Sequence, residues 1–463
     1  LQGSLRDAED LVAACLSGNK DQIKSILDSG VDVNQRLIRH GHYGSALAAA
    51  ASKSNIEIVK LLLEAGADVN QQLTCGDYGS ALAAAASNSN MGIVKLLLEA
   101  GADVNQQLTQ GGYGSALAAA AASDTIVFRD VEGTVKLLLK AGADVNQQLT
   151  HGFYGSALAA AAIGGNTEIV KLLLEAGANV NQQLTHGSYG SALAAAARRQ
   201  NSEIIKLLLG AGADVNQQFT YGSHGSALAA AATREGNTEI VKLLLEAGAN
   251  VNQQLTHGSY GSALAAAARW KISEIVKLLL GAGADVNQQL THGSHGSALA
   301  AAAIVKGNIE IVKLLLEAGT NANQQLTCGD YGNALAAAAY NKCKEVITLL
   351  QNAGANTGSL STLGHDPKTG SLEPQTINFS WQLPSIIKDL REVETFLSNT
   401  GTLTRQRDTV ELATSSDFLR RTYGILGTSL LHGIARALKS PQSLYGQCDN
   451  QQSYKPALTY LSS

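Results

Sequence analysis

Histidine is the first candidate for chemistry in this 463-residue chain. Eight of its ten histidines (His40, His42, His151, His186, His224, His257, His292 and His295) fall in recurring glycine-containing stretches. Imidazoles on a regular spacing could ligate a metal, or gain charge together below about pH 6.5. Aspartate is the second candidate. Asp68, Asp103, Asp144, Asp214 and Asp285 recur at matching positions, as carboxylates for acid–base work would, but the copies at 179 and 250 are Asn. A structural turn role is therefore expected for them. The third set is basic: Arg198, Arg199, Arg234, Arg269, Lys271, Lys306 and Lys342, with Trp270 among them and only Glu235 opposing them nearby. Arg and Trp together are the composition of an interface hot spot.

Other chemistry finds little footing. The five cysteines form no CxxC and are scattered, which points to reduced thiols in an intracellular, cytoplasmic protein, although Asn378 heads one Asn-Phe-Ser sequon. There is no GxxxxGK[ST] phosphate loop, HExxH, GxSxG or EF-hand loop. No enzyme is expected within residues 1–357, and no cofactor or small-molecule substrate. The net charge of −4 and the absence of an 18-residue apolar run argue against a membrane partner. The basic stripe could follow a nucleic-acid backbone, but aromatic interleaving is thin in a net-acidic chain, so nucleic acid is not the expected partner.

The elements that position these residues follow from one repeated phrase, YGSALAAAA, a joint, then IVKLLLEAGADVNQQLT. Its opening tyrosine stands at 43, 78, 113, 154, 189, 260 and 331, with His224 and His295 in the same slot; the spacings are 35, 35, 41, 35, 35, 36, 35 and 36. Such a period means stacked repeats. The Ala-rich run predicts a short helix with Ser45 and its copies as N-caps. Ile58, Val59, Leu61, Leu62 and Leu63 predict a second helix, with Lys60 and Glu64 paired on its surface. Ala65-Gly66 ends it with a left-handed glycine. The following Asp-Val-Asn-Gln-Gln-Leu-Thr and its glycine predict a β-hairpin-like finger. Packed helices sit about 8–10 Å apart, too far for stacked fingers to share a metal, so plain exposed finger residues are the reading set beside metal binding and pH response.

Residues 5–34 form a degenerate first copy with Ala8, Leu11, Val12 and Cys15 on one helix face and a charged outer side, as a capping repeat requires. The copy at 113–153 carries a longer joint with Ile126, Val127 and Phe128, read as a loop folded back on its own repeat or a partner-contacting protrusion. After the repeats, 358–382 reads as a linker, 383–440 as a helical segment and 441–463 as an irregular tail.

These phrases resemble ankyrin repeats. Gly-Ser-Ala-Leu-Ala stands where the family's Thr-Pro-Leu-His is usual, and Glu-Ile-Val-Lys-Leu-Leu-Leu-Glu-Ala-Gly-Ala-Asp-Val-Asn follows. The resemblance covers residues 5–357 and implies an all-α solenoid of about ten helix–turn–helix repeats, 1–357, with a C-terminal helical appendage. The near-identical copies are similar to arrays of large fungal ankyrin proteins. That similarity, with a chain starting at Leu1, implies a fragment of a larger multidomain protein whose NTPase-type or other signalling domain precedes the array.

Copies within one chain can be compared. Variation gathers at the finger tips and at the ends of the first helices, the two sets that line the concave face of ankyrin arrays. The candidate partner-binding residues are Phe153, His186, Tyr221, His257 and His292 from the tips, with Arg198, Arg199, Arg234, Arg269, Trp270, Lys271, Lys306, Tyr340 and Lys342 from the helix ends. The expected function is non-catalytic recognition of an acidic or phosphorylated protein segment. A structural spacer, or a regulatory arm of a larger protein, is the alternative.

Overall fold

The computed structural model describes residues 2–37, 43–123 and 130–356. The chain divides into a unit Leu1–Ala355 and a unit Asn356–Ser463. The segments expected at 358–382, 383–440 and 441–463, and the joint residues Ile126, Val127 and Phe128, lie outside the described residues. Among the described residues twenty helices form ten consecutive pairs, from Gln2–Ser17 with Lys20–Asp28 to Ala334–Tyr340 with Lys344–Asn352.

Each first helix after the opening pair is only two turns long, too short to persist alone. In Ala46–Ser52, Ser45 is extended (φ −155°) and its Oγ accepts the Ala48 N–H at 3.2 Å. Ser80, Ser115, Ser156, Ser191, Ser226, Ser262, Ser297 and Asn333 cap their helices in the same way. The caps are as expected. Ala48 to Ala51 are buried, as are their copies except Ala339 in the last pair, which is half-buried. The methyl groups let one repeat's first helix lie directly against the next, and alanine loses no side-chain entropy there.

The second helices bury less than the apolar run suggests. In Ile56–Glu64, Ile58, Val59 and Leu62 are buried, whereas Leu61 and Leu63 are only half-buried. At 100° per residue the first three share one face and the other two flank it. Lys60 pairs with Glu57 at 3.7 Å, while its copy Lys95 pairs with Glu99 at 3.7 Å, so this surface charge pairing is interchangeable. The stop is a Schellman turn: Gly66 (φ +85°) donates to Leu63 and Ala67 donates to Leu62. In the opening pair Ala8, Leu11, Val12 and Cys15 are buried, on the face expected of them.

The fingers are not β-hairpins. No strand occurs among the described residues, and the finger runs as turns and bends. One backbone bond, Leu73 N–H to Gly79 carbonyl (3.1 Å), spans its base. Its tip is bonded sideways to other repeats: Gly112 N–H to Asp77, Phe153 to Gly112, Ser188 to Phe153, Ser223 to Ser188, Ser259 to Ser223, Ser294 to Ser259 and Asp330 to Ser294, at 2.9–3.3 Å. The reason is backbone conformation. Two glycines three residues apart, Gly111 (φ +86°) and Gly114 (φ +80°), break any extended pairing within the finger. A Cβ on Gly114 would meet the His151 carbonyl oxygen at 2.5 Å, so the next repeat occupies that space.

Beneath the tips runs a polar ladder that explains the sameness of Asp-Val-Asn-Gln-Gln-Leu-Thr. Asn70 Nδ2 donates to the Gly101 carbonyl of the next repeat at 2.9 Å, and its Oδ1 accepts the Asp103 N–H at 2.7 Å. Gln106 Nε2 donates back to the Asn70 carbonyl at 2.5 Å, and Gln72 Nε2 donates forward to Gln107 at 3.1 Å. The aspartates have a turn role: Asp68 Oδ1 accepts the Asn70 N–H at 2.9 Å. Asn179 accepts from Asn181 in the same way at 3.0 Å, so either residue type serves.

Candidate functional site

Finger-tip serines and the end of a first helix meet around Tyr260 and Trp270. The slot that opens each repeat carries a row of rings. Tyr43, Tyr78, Tyr113 and Tyr154 stack at centroid distances of 6.1, 6.3 and 6.1 Å. Tyr189 and His224 stack at 6.2 Å, and His224 and Tyr260 lie 6.3 Å apart. A second row lies at the tips, with His151 on His186 at 6.3 Å and His186 on Tyr221 at 5.6 Å. Rings from successive repeats are thus closer than the roughly 8–10 Å between packed helices. The tips are drawn together by their sideways backbone bonds. Among the described residues no group of three His, Cys, Asp or Glu could hold a metal ion. His257 and His292 each meet the neighbouring threonine hydroxyl, through Nδ1 at 3.2 Å.

The helix ends reach this row from the other side. Trp270 Nε1 donates to the Tyr260 hydroxyl at 2.8 Å. Tyr340 lies against Tyr331, centroids 5.4 Å apart. Arg234 reaches the Arg198 carbonyl at 3.3 Å, and Lys271 reaches that of Lys306 at 2.6 Å. Arg199, Arg269, Lys271, Lys306 and Lys342 are exposed, and Arg198 and Arg234 half-buried. None of these seven joins an ion pair among the described residues, so their charge faces solvent uncompensated. Lys271 (φ +61°) and Lys342 (φ +55°) hold left-handed backbone positions that glycine would take at less cost.

The array's exposed apolar rings gather here too. Phe153, Tyr221, Trp270 and Tyr340 are 67%, 46%, 52% and 59% exposed, four of the six exposed large hydrophobic residues described. All four stand at variable positions. An open pocket of about 260 Å3 is lined by Ser259, Tyr260, Arg269, Trp270, Ser294 and His295. Of these, Arg269 and Trp270 are legible as partner-binding residues from the sequence, and His295 as one of the repeating histidines; Ser259, Tyr260 and Ser294 are not partner-binding candidates there.

His224 and His295 differ from the other finger histidines. Burial, and then the charge of Arg198, push His224 down to about 4. Burial, and then Arg269, bring His295 to about 4, with a backbone contact at Ser294 acting the other way. Both rings are therefore neutral near pH 7. The Nδ1 of each is buried and makes no hydrogen bond. Tyr331 is pushed up to about 12, chiefly by burial. The thiols of Cys75 and Cys328 donate to the Leu37 and Leu290 carbonyls of the preceding repeat, at 2.8 and 2.7 Å. Burial raises both, so neither is an activated nucleophile.

A family model described as ankyrin repeats (3 copies) matches residues 11–108, 117–219, 217–290 and 264–360. The chain belongs to the ankyrin-repeat family. Among solved structures, the ankyrin repeat domain of human ASB11 is similar to it at 27% identity, over 52% of this chain and 98% of that one, with a TM-score of 0.41. No curated protein matches. As an ankyrin array the chain is a protein–protein interaction scaffold that works through a concave groove. No described helix is long and apolar enough to cross a membrane.

Proposed function

We propose that the part of the ankyrin groove built by residues 153–342 binds an acidic or phosphorylated segment of a partner protein. The observation that carries this is the run of seven cationic side chains without an ion-pair partner, with Trp270 exposed among them. Cations on a rigid scaffold attract anionic ligands, and an exposed aromatic beside them supplies apolar contact area. Arg198, Arg199, Arg234, Arg269, Lys271, Lys306 and Lys342 supply the charge. Trp270, Tyr340 and the tip residues Phe153, His186, Tyr221, His257 and His292 supply the ring surface. The array would then be the recognition arm of a larger assembly.

The test is retention of a library of acidic and phosphorylated peptides, with single-stranded RNA as a competitor. It compares the full chain with an Arg269→Glu, Trp270→Ala variant. Selective retention of anionic peptides by wild type alone is expected. Equal retention by both proteins, or preference for RNA, would overturn the assignment.

A further inference from the structure

The array has a second, longer period. Tyr189 and Tyr260 are 71 residues apart, as are His224 and His295, Arg198 and Arg269, and the serines 188 and 259, and 223 and 294. Gly-Ala-Gly-Ala-Asp-Val-Asn at 210 and 281 alternates with Glu-Ala-Gly-Ala-Asn-Val-Asn at 246 on the same step. Two repeats, not one, are the unit here. In each unit a Tyr repeat ends its first helix with Arg, and the next repeat puts a His in the tyrosine slot, half-buried at 224 and buried at 295, whose Nδ1 makes no hydrogen bond. The pattern stops at Tyr331, where Tyr340 replaces the Arg and covers the slot instead.

This arrangement makes a place for an anion. An imidazole is shorter than a phenol and lacks its hydroxyl, so it leaves room where a tyrosine would reach; the open pocket lies beside His295. The polar groups around it are donors. Arg269 is cationic, and Ser259 and Ser294 carry hydroxyls. Tyr260 accepts the Trp270 N–H, which leaves its own proton to be donated outward. No carboxylate lines the pocket. The corresponding groups one unit earlier are Ser188, Tyr189, Arg198, Arg199, Ser223 and His224, with Arg199 in place of the tryptophan.

We infer that residues 188–295 form two equivalent anion sites in fixed register, and that the ligand is an extended peptide presenting two anionic side chains four residues apart. The inference rests on the anionic-segment reading above and adds its spacing. Two ring steps, 6.2 and 6.3 Å, separate Tyr189 from Tyr260. An extended chain advances about 3.3 Å per residue, so about four residues span the two sites. Phosphate and carboxylate share the acceptor chemistry these donors require.

The probes are fluorescein-labelled Gly/Ser/Thr peptides bearing phosphoserine pairs at i,i+2, i,i+4, i,i+6 or i,i+8. A singly phosphorylated peptide and an i,i+4 glutamate pair complete the set. Anisotropy is read with the full chain and with His224→Tyr, His295→Tyr. Tyrosine is the ordinary resident of that slot in seven repeats, and a thermal melt verifies that the variant folds. The i,i+4 phosphoserine pair should bind about tenfold or more tighter than the single phosphoserine, because the second contact becomes intramolecular. The double variant should lose that margin. The glutamate arm distinguishes a phosphorylated from a simply acidic ligand. Affinity that follows charge number without regard to spacing, or an i,i+4 preference that survives both tyrosines, overturns the two-site register and leaves the basic groove standing. Failure of every anionic peptide to bind overturns both.

Discussion

The indole N–H of Trp270 is bonded to the hydroxyl of Tyr260, 2.8 Å away and ten residues earlier. One residue belongs to the end of a first helix and the other to the slot that opens the same repeat. The bond ties the two variable surfaces of the array together and fixes an exposed ring before any partner arrives. A ring held in place loses less freedom on binding than a mobile one.

Trp270 should therefore matter more for binding than for folding. Trp270→Phe removes a half-exposed hydrogen bond and should cost at most about 1 kcal/mol of stability. Trp270→Ala should weaken an anionic peptide ligand by about 2 kcal/mol, close to thirtyfold, as a hot-spot aromatic does. Urea unfolding and calorimetric titration on the same samples separate the effects. A stability loss that exceeds the binding loss would mean the ring is structural.

Acid should loosen the array through two imidazoles. His224 and His295 sit near 4 in the folded chain against 6.5 when free. Above pH 6.5 neither state holds the proton. As pH falls below 6.5 the unfolded chain takes up two protons that the folded array refuses until about 4. Stability is thus full above 6.5 and is lost between 6.5 and 4, by up to about 3 kcal/mol per ring. Melting temperatures from pH 7.5 to 4.5 should fall more steeply for wild type than for His224→Tyr, His295→Tyr. Parallel curves would contradict the burial argument.

The polar ladder predicts an asymmetry between neighbouring residues. Asp214→Asn should change stability by less than about 0.5 kcal/mol, because Asn179 and Asn250 already make the same turn bond in their own repeats. Asn216→Ala removes the donor to Gly248 and the acceptor for the Asn250 N–H, and should cost about 1–3 kcal/mol. Chemical denaturation of the two variants decides it. Equal effects would show that the ladder adds nothing beyond the turn.

Two glycines with nearly the same backbone angle should respond differently to alanine. Gly101 (φ +88°) has no atom within 4 Å of the place a Cβ would take, so Gly101→Ala incurs only the left-handed strain, about 1 kcal/mol. Gly114 (φ +80°) would press its Cβ to 2.5 Å from the His151 carbonyl oxygen. Gly114→Ala should cost clearly more and should disturb the tip bonds on both sides. Hydrogen exchange at the Phe153 N–H, which bonds to Gly112, reads that disturbance directly.

Much of this molecule is written locally. The helix pairs, their serine caps and glycine stops, and the turn role of the aspartates all follow from residues within one repeat, because capping and helical periodicity act over three or four positions. The fingers read wrongly as hairpins for the same reason. Glycines around a short polar run are hairpin chemistry when only near neighbours are considered. Here their hydrogen-bond partners are some 31 to 43 positions away, in the adjoining repeat. The 71-residue unit is open to view in the alternation of Asp214, Asn250, Asp285 and Asn321, but it means little until the fold shows Arg269 and His295 at one pocket.

Sequence alone determined that the chain is a stack of ankyrin repeats, and which positions the stack leaves free to vary. Tertiary structure decided that Arg269 and Trp270 meet Ser259 and Ser294 at one pocket, that tyrosines form a row, and that two imidazoles in it are withdrawn from solvent and neutral near pH 7. The division is physical. A helix and its caps are settled by contacts inside one repeat, whereas the burial, charge and spacing of a groove residue are set by whatever the neighbouring repeat puts beside it.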